Sequence, residues 1–187
     1  MRCDRRPGTS GSWAMSIGLD FDAARFRDVL AHLPTGITII TANTPEGPTG
    51  MTANSFTSVS LDPPLVLFCP AKSSSTWPAV RAAGMFCVNV MAGHHKELVG
   101  QFARKGAERF VGVSYQTHEE GPVLNEAVAW LTCRIHHEHD AGDHTIVVAE
   151  VTRLDARPES EPLVFLRGRY GMFQEVGTCE VEEPKRA

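Results

Sequence analysis

The sequence predicts a mainly β protein with flanking helices, built as an antiparallel barrel that is either closed or split. Three observations predict it. Short β-branched or apolar runs recur at similar spacing between Gly36 and Leu166. The helical patterns between them are few and short. Two longer strand-like runs, Ala127 to Asp140 and Thr145 to Leu154, meet at Ala141-Gly142-Asp143, a hairpin signal. No internal repeat and no linker divides the chain. One domain over 20–173 is therefore expected, between a disordered tail at 1–19 and a second tail at 174–187.

The elements follow in order. Asp20 to Leu33 carries Phe21, Ala24, Phe26, Val29, Leu30 and Leu33 at helical spacing, with Asp20 or Asp22 to cap it and Pro34 and Gly36 to end it. Gly36 to Ala42 is β-branched and reads as a strand, and Pro45-Glu46-Gly47-Pro48 as a turn. Thr49 to Leu61 is expected as one polar strand, broken by Asp62-Pro63-Pro64, and Leu65 to Cys69 as a short buried one. Pro78 sits in the first turn of a short helix, Trp77 to Ala83, which Gly84 closes. Met85 to Met91 is a strand, Lys96 to Arg104 a helix, and Gly106 to Thr117 irregular. Gly121-Pro122 turns the chain into the hairpin, and Leu163 to Leu166 is the last core strand.

Composition bounds the function. The 187 residues are 42% hydrophobic and 21% charged, which excludes a disordered chain. Lys plus Arg is 18 and Asp plus Glu is 22, so the formal charge is −4 and nothing draws the chain generally to nucleic acid or an anionic membrane. No apolar run approaches the roughly 20 residues that span a bilayer. Arg5-Arg6 is followed by no apolar stretch, so no secretory or twin-arginine signal is expected, and Met15 is a second candidate start. Cys69, Cys87 and Cys133 lie in apolar runs with no CxxC pair. With Cys3 and Cys179 the count is five, an odd number, and Cys69, Cys87 and Cys133 read as buried thiols of a cytoplasmic protein rather than a disulfide frame.

Four segments carry candidate chemistry. On the polar strand Gly50-Met51-Thr52-Ala53-Asn54-Ser55, alternate side chains share a face, and their hydroxyls and amide can meet a planar polar heterocycle; a plain solvated strand fits the same composition. Lys72-Ser73-Ser74-Ser75-Thr76 precedes a helix and suits either a phosphate or an ordinary N-cap. His136-His137-Glu138-His139, with His144 across the hairpin, has ligand types for a metal but no HExxH spacing, and a solvated hairpin tip is expected instead. Arg167-Gly168-Arg169-Tyr170-Gly171 could flank a phosphorylated aromatic ligand or form a simple turn. There is no GxGxxG, GxxxxGK[ST] or GxSxG.

The order of these segments closely resembles the flavin reductases that serve as small components of two-component flavin-dependent monooxygenases. The resemblance rests on Pro34-Thr35-Gly36-Ile37-Thr38-Ile39-Ile40-Thr41, the run from Gly50 to Val66, Phe86-Cys87-Val88-Asn89-Val90, Gly142-Asp143-His144 and Arg167-Gly168-Arg169-Tyr170, and it covers about residues 21–173. Within the family the chain is most similar to actinobacterial reductases of aromatic or steroid-catabolite hydroxylases and to nitrilotriacetate monooxygenase component B.

This resemblance implies an FMN-binding split β-barrel with Greek-key connections. It also implies a homodimer, and an enzyme that spends NADH or NADPH to reduce FMN or FAD for transient transfer to an oxygenase component. A flavin-binding electron carrier without substantial reductase turnover is the alternative. Residue by residue, the resemblance assigns Gly50, Met51, Thr52, Ala53, Asn54 and Ser55 to the isoalloxazine. Cys69, Pro70, Ser73, Ser74, Ser75 and Thr76 fall to the ribityl phosphate, and Asn89, Val90, Phe102 and Phe110 to the rest of the flavin pocket. His144, Arg169 and Tyr170 fall to the nicotinamide nucleotide. His144 is expected to orient that ligand rather than to transfer a proton. No metal is expected.

Overall fold

Asp22 starts the first helix, α1 (Ala23–Leu30): its carboxylate accepts a hydrogen bond from Arg25 N at 2.8 Å. The structure, a computed structural model, describes residues 20–106, 108–157 and 160–175. The expected tail at 1–19 lies outside them, and the second tail is described only as far as Glu175. The helix is shorter than its apolar pattern and ends before Leu33. None of its residues is buried, and Phe26, Val29 and Leu30 are each about half exposed. The amphipathic pattern is real, but nothing among the described residues covers it.

The chain then runs β1 (Thr35–Gly36), β2 (Thr38–Thr44), β3 (Gly47–Ala53), β4 (Thr57–Leu61) and β5 (Pro64–Phe68). The single strand expected from Thr49 to Leu61 is therefore two strands, broken at Asn54–Phe56. The helix α2 (Trp77–Ala83) ends at Gly84, whose φ of 71° is the left-handed conformation a C-terminal glycine supplies without strain. Next come β6 (Met85–Val90), α3 (Lys96–Ala103), β7 (Tyr115–Thr117) and β8 (Pro122–Leu124). They are followed by β9 (Ala129–Ala141), β10 (His144–Ala156), β11 (Leu163–Leu166) and β12 (Arg169–Met172). Arg167 and Gly168, both at positive φ, turn β11 into β12, so the Arg-Gly-Arg-Tyr segment is turn and strand together.

The described residues form a mainly β molecule with three helices, and every strand pair is antiparallel. Seven strands share one sheet in the order β3-β2-β6-β9-β10-β5-β4, while β1-β11-β12 and β7-β8 form two smaller sheets. The outermost strands of the large sheet, β3 and β4, are consecutive in sequence. Side chains alternate along β2, so Ile40 and Ala42 enter one core and Ile39 the other. In the first core Phe68 meets Trp77 and Phe86 edge-on at 5.6 and 5.3 Å. The second core, with Met91, Val99, Phe102 and Leu163, seats α3 against β2. No helix among the described residues is long and apolar enough to cross a membrane.

Candidate functional site

The site begins where α3 presses on β3. A Cβ at Gly50 would lie 2.8 Å from a ring carbon of Phe102 and 2.9 Å from the Ile40 carbonyl oxygen, so glycine is what lets the ring approach. Thr52 Oγ1 donates to Val99 O at 2.8 Å and fixes α3 from the other side. Between these elements opens a cleft of about 280 Å³. Met51, Thr52, Asn54 and Phe102 form one wall.

Ser74, Ser75 and Thr76 form the facing wall. Thr76 is the N-cap residue of α2 but its side chain makes no capping bond; Ser74 Oγ supplies it, accepting from Thr76 N at 3.3 Å and Trp77 N at 3.1 Å. Thr76 is buried, and Ser73 and Ser75 are exposed. At the other end Tyr170 stands opposite its strand partner Phe165, ring centroids 5.4 Å apart, with Lys96 Nζ 6.0 Å from the Tyr170 ring. Ile37 closes that end.

Lys105 and Arg109 complete the cleft, and neither is predicted from the sequence. They follow α3 in a stretch without periodicity, where only a pair of cations among glycines could have drawn notice. Arg109 donates from Nη1 to Gly50 O at 2.7 Å and to Thr76 Oγ1, and from Nε and Nη2 to Arg104 O at 3.2 and 2.9 Å. It therefore ties β3, the start of α2 and the end of α3 together beside the hydroxyls. Burial lowers its pKa from the ordinary value, yet a guanidinium stays charged at neutral pH.

The other predicted residues lie outside the cleft lining. Gly50 and Ala53 back the β3 wall. Ser55 Oγ accepts from Cys69 N at 2.9 Å, pinning the β3–β4 corner to the end of β5. Pro70 is buried, and its carbonyl accepts from Thr145 N at 3.0 Å. Asn89 is fully buried, and its amide is spent inside the fold. Nδ2 donates to Ile39 O and Thr41 Oγ1, each at 3.1 Å, and Oδ1 accepts from Leu124 N at 2.8 Å. Val90 pairs with Thr38 and Ala129 in the sheet. Phe110 packs edge-on against Phe102 at 5.1 Å, behind the cleft wall. Arg169 is exposed opposite Leu166.

His144 lies at the hairpin tip, its side chain 43% exposed, and its Nδ1 donates to Asp143 Oδ1 at 2.8 Å. That hydrogen bond and the charge of His144 hold the Asp143 carboxyl below its usual value. The tip is tethered where the hydroxyl segment begins: Lys72 N donates to Asp143 O at 2.9 Å, Ala71 bridges His144, and Lys72 pairs with Asp140. Along β9, His136 falls at a register shift opposite Val148 and Ala149. Among the described residues no three His, Cys, Asp or Glu side chains converge as metal ligands. Desolvation raises the pKa of Cys69, pushes Cys133 up to about 12 and raises Cys87 further, so the two buried thiols, Cys87 and Cys133, are not nucleophiles in the native fold.

Residues 30–174 match the family model described as flavin reductase like domain. An FMN reductase (NADH), SmoA, of Agrobacterium fabrum is 48% identical over 149 residues, 79% of this chain and 84% of that protein. The flavin-dependent monooxygenase reductase subunit HsaB of Mycobacterium tuberculosis is 40% identical over 80% of this chain and 81% of its own. Among solved structures, the NADH:FAD oxidoreductase SgcE6 of Streptomyces globisporus, in complex with NAD and FAD fragments, is 38% identical. It superposes with a TM-score of 0.78 over 82% of this chain and 93% of that one. On the match across most of its length and on these identities, the chain belongs to the flavin reductase-like domain family.

Proposed function

We propose that this protein is an NAD(P)H:flavin oxidoreductase that reduces FMN or FAD and hands the reduced flavin to a partner monooxygenase. The observation that carries the reading is the mixed chemistry of the cleft lining. It combines aromatic rings and the Asn54 amide with serine and threonine hydroxyls and two cations. That donor set fits a planar heterocycle joined to a phosphate. The names of the relatives support the same cofactors and the same hand-over to an oxygenase.

A flavin held by these residues would supply the hydride-accepting chemistry, with NAD(P)H as the donor. The chain's own work is to hold the rings in register and keep water out. Met51, Thr52 and Asn54 bear on the ring, with Gly50, Ala53, Ser55, Cys69 and Pro70 shaping the wall behind them. Ser73, Ser74, Ser75, Thr76, Lys105 and Arg109 hold the phosphate end. Asn89, Val90, Phe102 and Phe110 support that wall from the core. Tyr170, Arg169 and His144 orient the nicotinamide nucleotide at the rim, His144 as a positioning residue.

The fold reading is an FMN-binding split barrel. In a flat sheet the six steps from β3 to β4 would span about 29 Å at ~4.8 Å each. The link Asn54–Phe56 gives four Cα steps of about 3.8 Å, at most ~15 Å. That mismatch supports a sheet curled until its edges approach, open along the β3–β4 seam. The apolar face of α1, uncovered among the described residues, supports a homodimer.

The test is NADH oxidation measured with and without added FMN and FAD. Steady turnover that requires free flavin is expected. A tightly yellow protein that NADH does not reduce would instead make it an electron carrier.

A further inference from the structure

A second cleft adjoins the first, and the two share Arg109. It is bounded by Pro48, Thr49, Glu108, Phe110 and Val111. Its floor is fixed before any ligand arrives. Gln101 Nε2 donates to Arg109 O at 2.8 Å and Val111 O at 3.0 Å, and the Phe110 ring is held edge-on between Phe102 and Tyr115 at 5.1 and 5.3 Å. Val111 nevertheless presents an uncovered apolar side chain, 63% exposed. Of the five N–H donors of Arg109, four are used by Gly50, Thr76 and Arg104, which leaves one N–H and the charge between the clefts.

We propose that this second cleft is the subsite for the adenylate half of FAD, so that FAD is the preferred flavin. The inference rests on the flavin reading of the first cleft. With the ring among Met51, Asn54 and Tyr170, the first phosphate comes to Ser75, Lys105 and Arg109. A chain longer than FMN must continue past Arg109, and the space there has matching chemistry. Arg109 meets the second phosphate, the Glu108 carboxylate accepts from ribose hydroxyls, and Pro48 and Val111 offer an apolar platform to the purine. FMN ends at Arg109 and leaves that platform unused.

The experiment measures FAD and FMN affinity by fluorescence titration in wild type, Val111→Glu and Glu108→Ala, with steady-state KM for NADH alongside. Val111 is exposed, so its substitution spares the core; thermal melts of all three proteins verify this. Wild type is expected to bind FAD more tightly than FMN. Val111→Glu should weaken FAD about tenfold and Glu108→Ala about threefold, with FMN within about twofold in both. FAD and FMN unchanged in both variants would overturn the subsite while leaving the flavin cleft standing. Equal weakening of both flavins at an unaltered melting temperature would overturn it too, because the second cleft would then serve the shared part of the ligand. A raised KM for NADH with FAD affinity unchanged would assign the cleft to the dinucleotide reductant and overturn the proposal. Wild type that binds neither flavin would remove the underlying reading itself.

Discussion

At Gly50 an added methyl meets a ring carbon of Phe102 and the Ile40 carbonyl oxygen at once. The ring can shift by turning, but the carbonyl belongs to a central strand and cannot. Gly50→Ala is expected to cost about 1–3 kcal/mol as overpacking. A thermal melt should read this as a fall in Tm of roughly 2–4 °C per kcal/mol. His144 tests a different link. His144→Ala should lower kcat/KM for NADH about tenfold, or roughly 1.4 kcal/mol, with flavin affinity near wild type. Stopped-flow reduction of preloaded flavin checks it: near-total loss would argue for proton transfer, and loss of flavin binding would reverse the assignment of ligands. Replacing Ser73, Ser74, Ser75 and Thr76 together by Ala does not isolate the phosphate site. Ser74 supplies the capping bond of α2, and Thr76 accepts from Arg109. Ser75→Ala is the cleaner probe, expected to weaken FMN by about 1.5–3 kcal/mol while riboflavin, which has no phosphate, is unaffected.

Among the elements, α1 has an apolar face that no described residue covers. If a second copy covers it, Phe26→Asp with Val29→Asp should convert a dimer to a monomer in sedimentation velocity. A wild type that sediments as a monomer would remove the dimer reading. The hairpin tip makes a pH prediction. The Asp143 value is depressed, first by the hydrogen bond from His144 and then by its charge. A carboxyl depressed in the fold contributes stability above its unfolded value and loses it as pH falls through the lowered one. In His144→Ala the Asp143 titration, followed by NMR, should therefore move up toward the ordinary 3.8. An unmoved titration would mean that the pairing does not persist in solution.

For the molecule as a whole, burial decides which groups can react. Cys87 and Cys133 are fully buried in the central sheet, with thiol pKa values raised by desolvation, while Cys69 is partly exposed. Variants that retain a single one of these thiols should differ sharply with an aromatic disulfide reagent. The Cys69 protein should react in the native state, and the Cys87 and Cys133 proteins only on unfolding. Fast native labelling of Cys133 would mean that the β6–β9 ladder opens readily.

Short-range patterns in the sequence determined most of the elements. β-Branched content marked β2, Gly84 marked the end of α2, and Ala141-Gly142-Asp143 marked the hairpin. The chemistry of two cleft walls was also legible, because the polar run from Gly50 and the hydroxyls of 73–76 each lie in one contiguous stretch. Only the tertiary structure decided how these walls meet and what closes them. Asn89 has the same local setting as a ligand-binding strand residue, but β8 crosses its side chain and takes its hydrogen bonds inside. The polar run past Ala53 continues in composition through the corner that separates β3 from β4, because strand propensity cannot register a change of pairing partner. Phe165 and Arg109 reach the cleft from segments more than fifty residues apart, one on a hairpin of a second sheet and the other in a loop without period. The physical reason is one of range. Propensity and periodicity act over a few residues, whereas a site assembled from distant segments depends on register and packing that no short window contains.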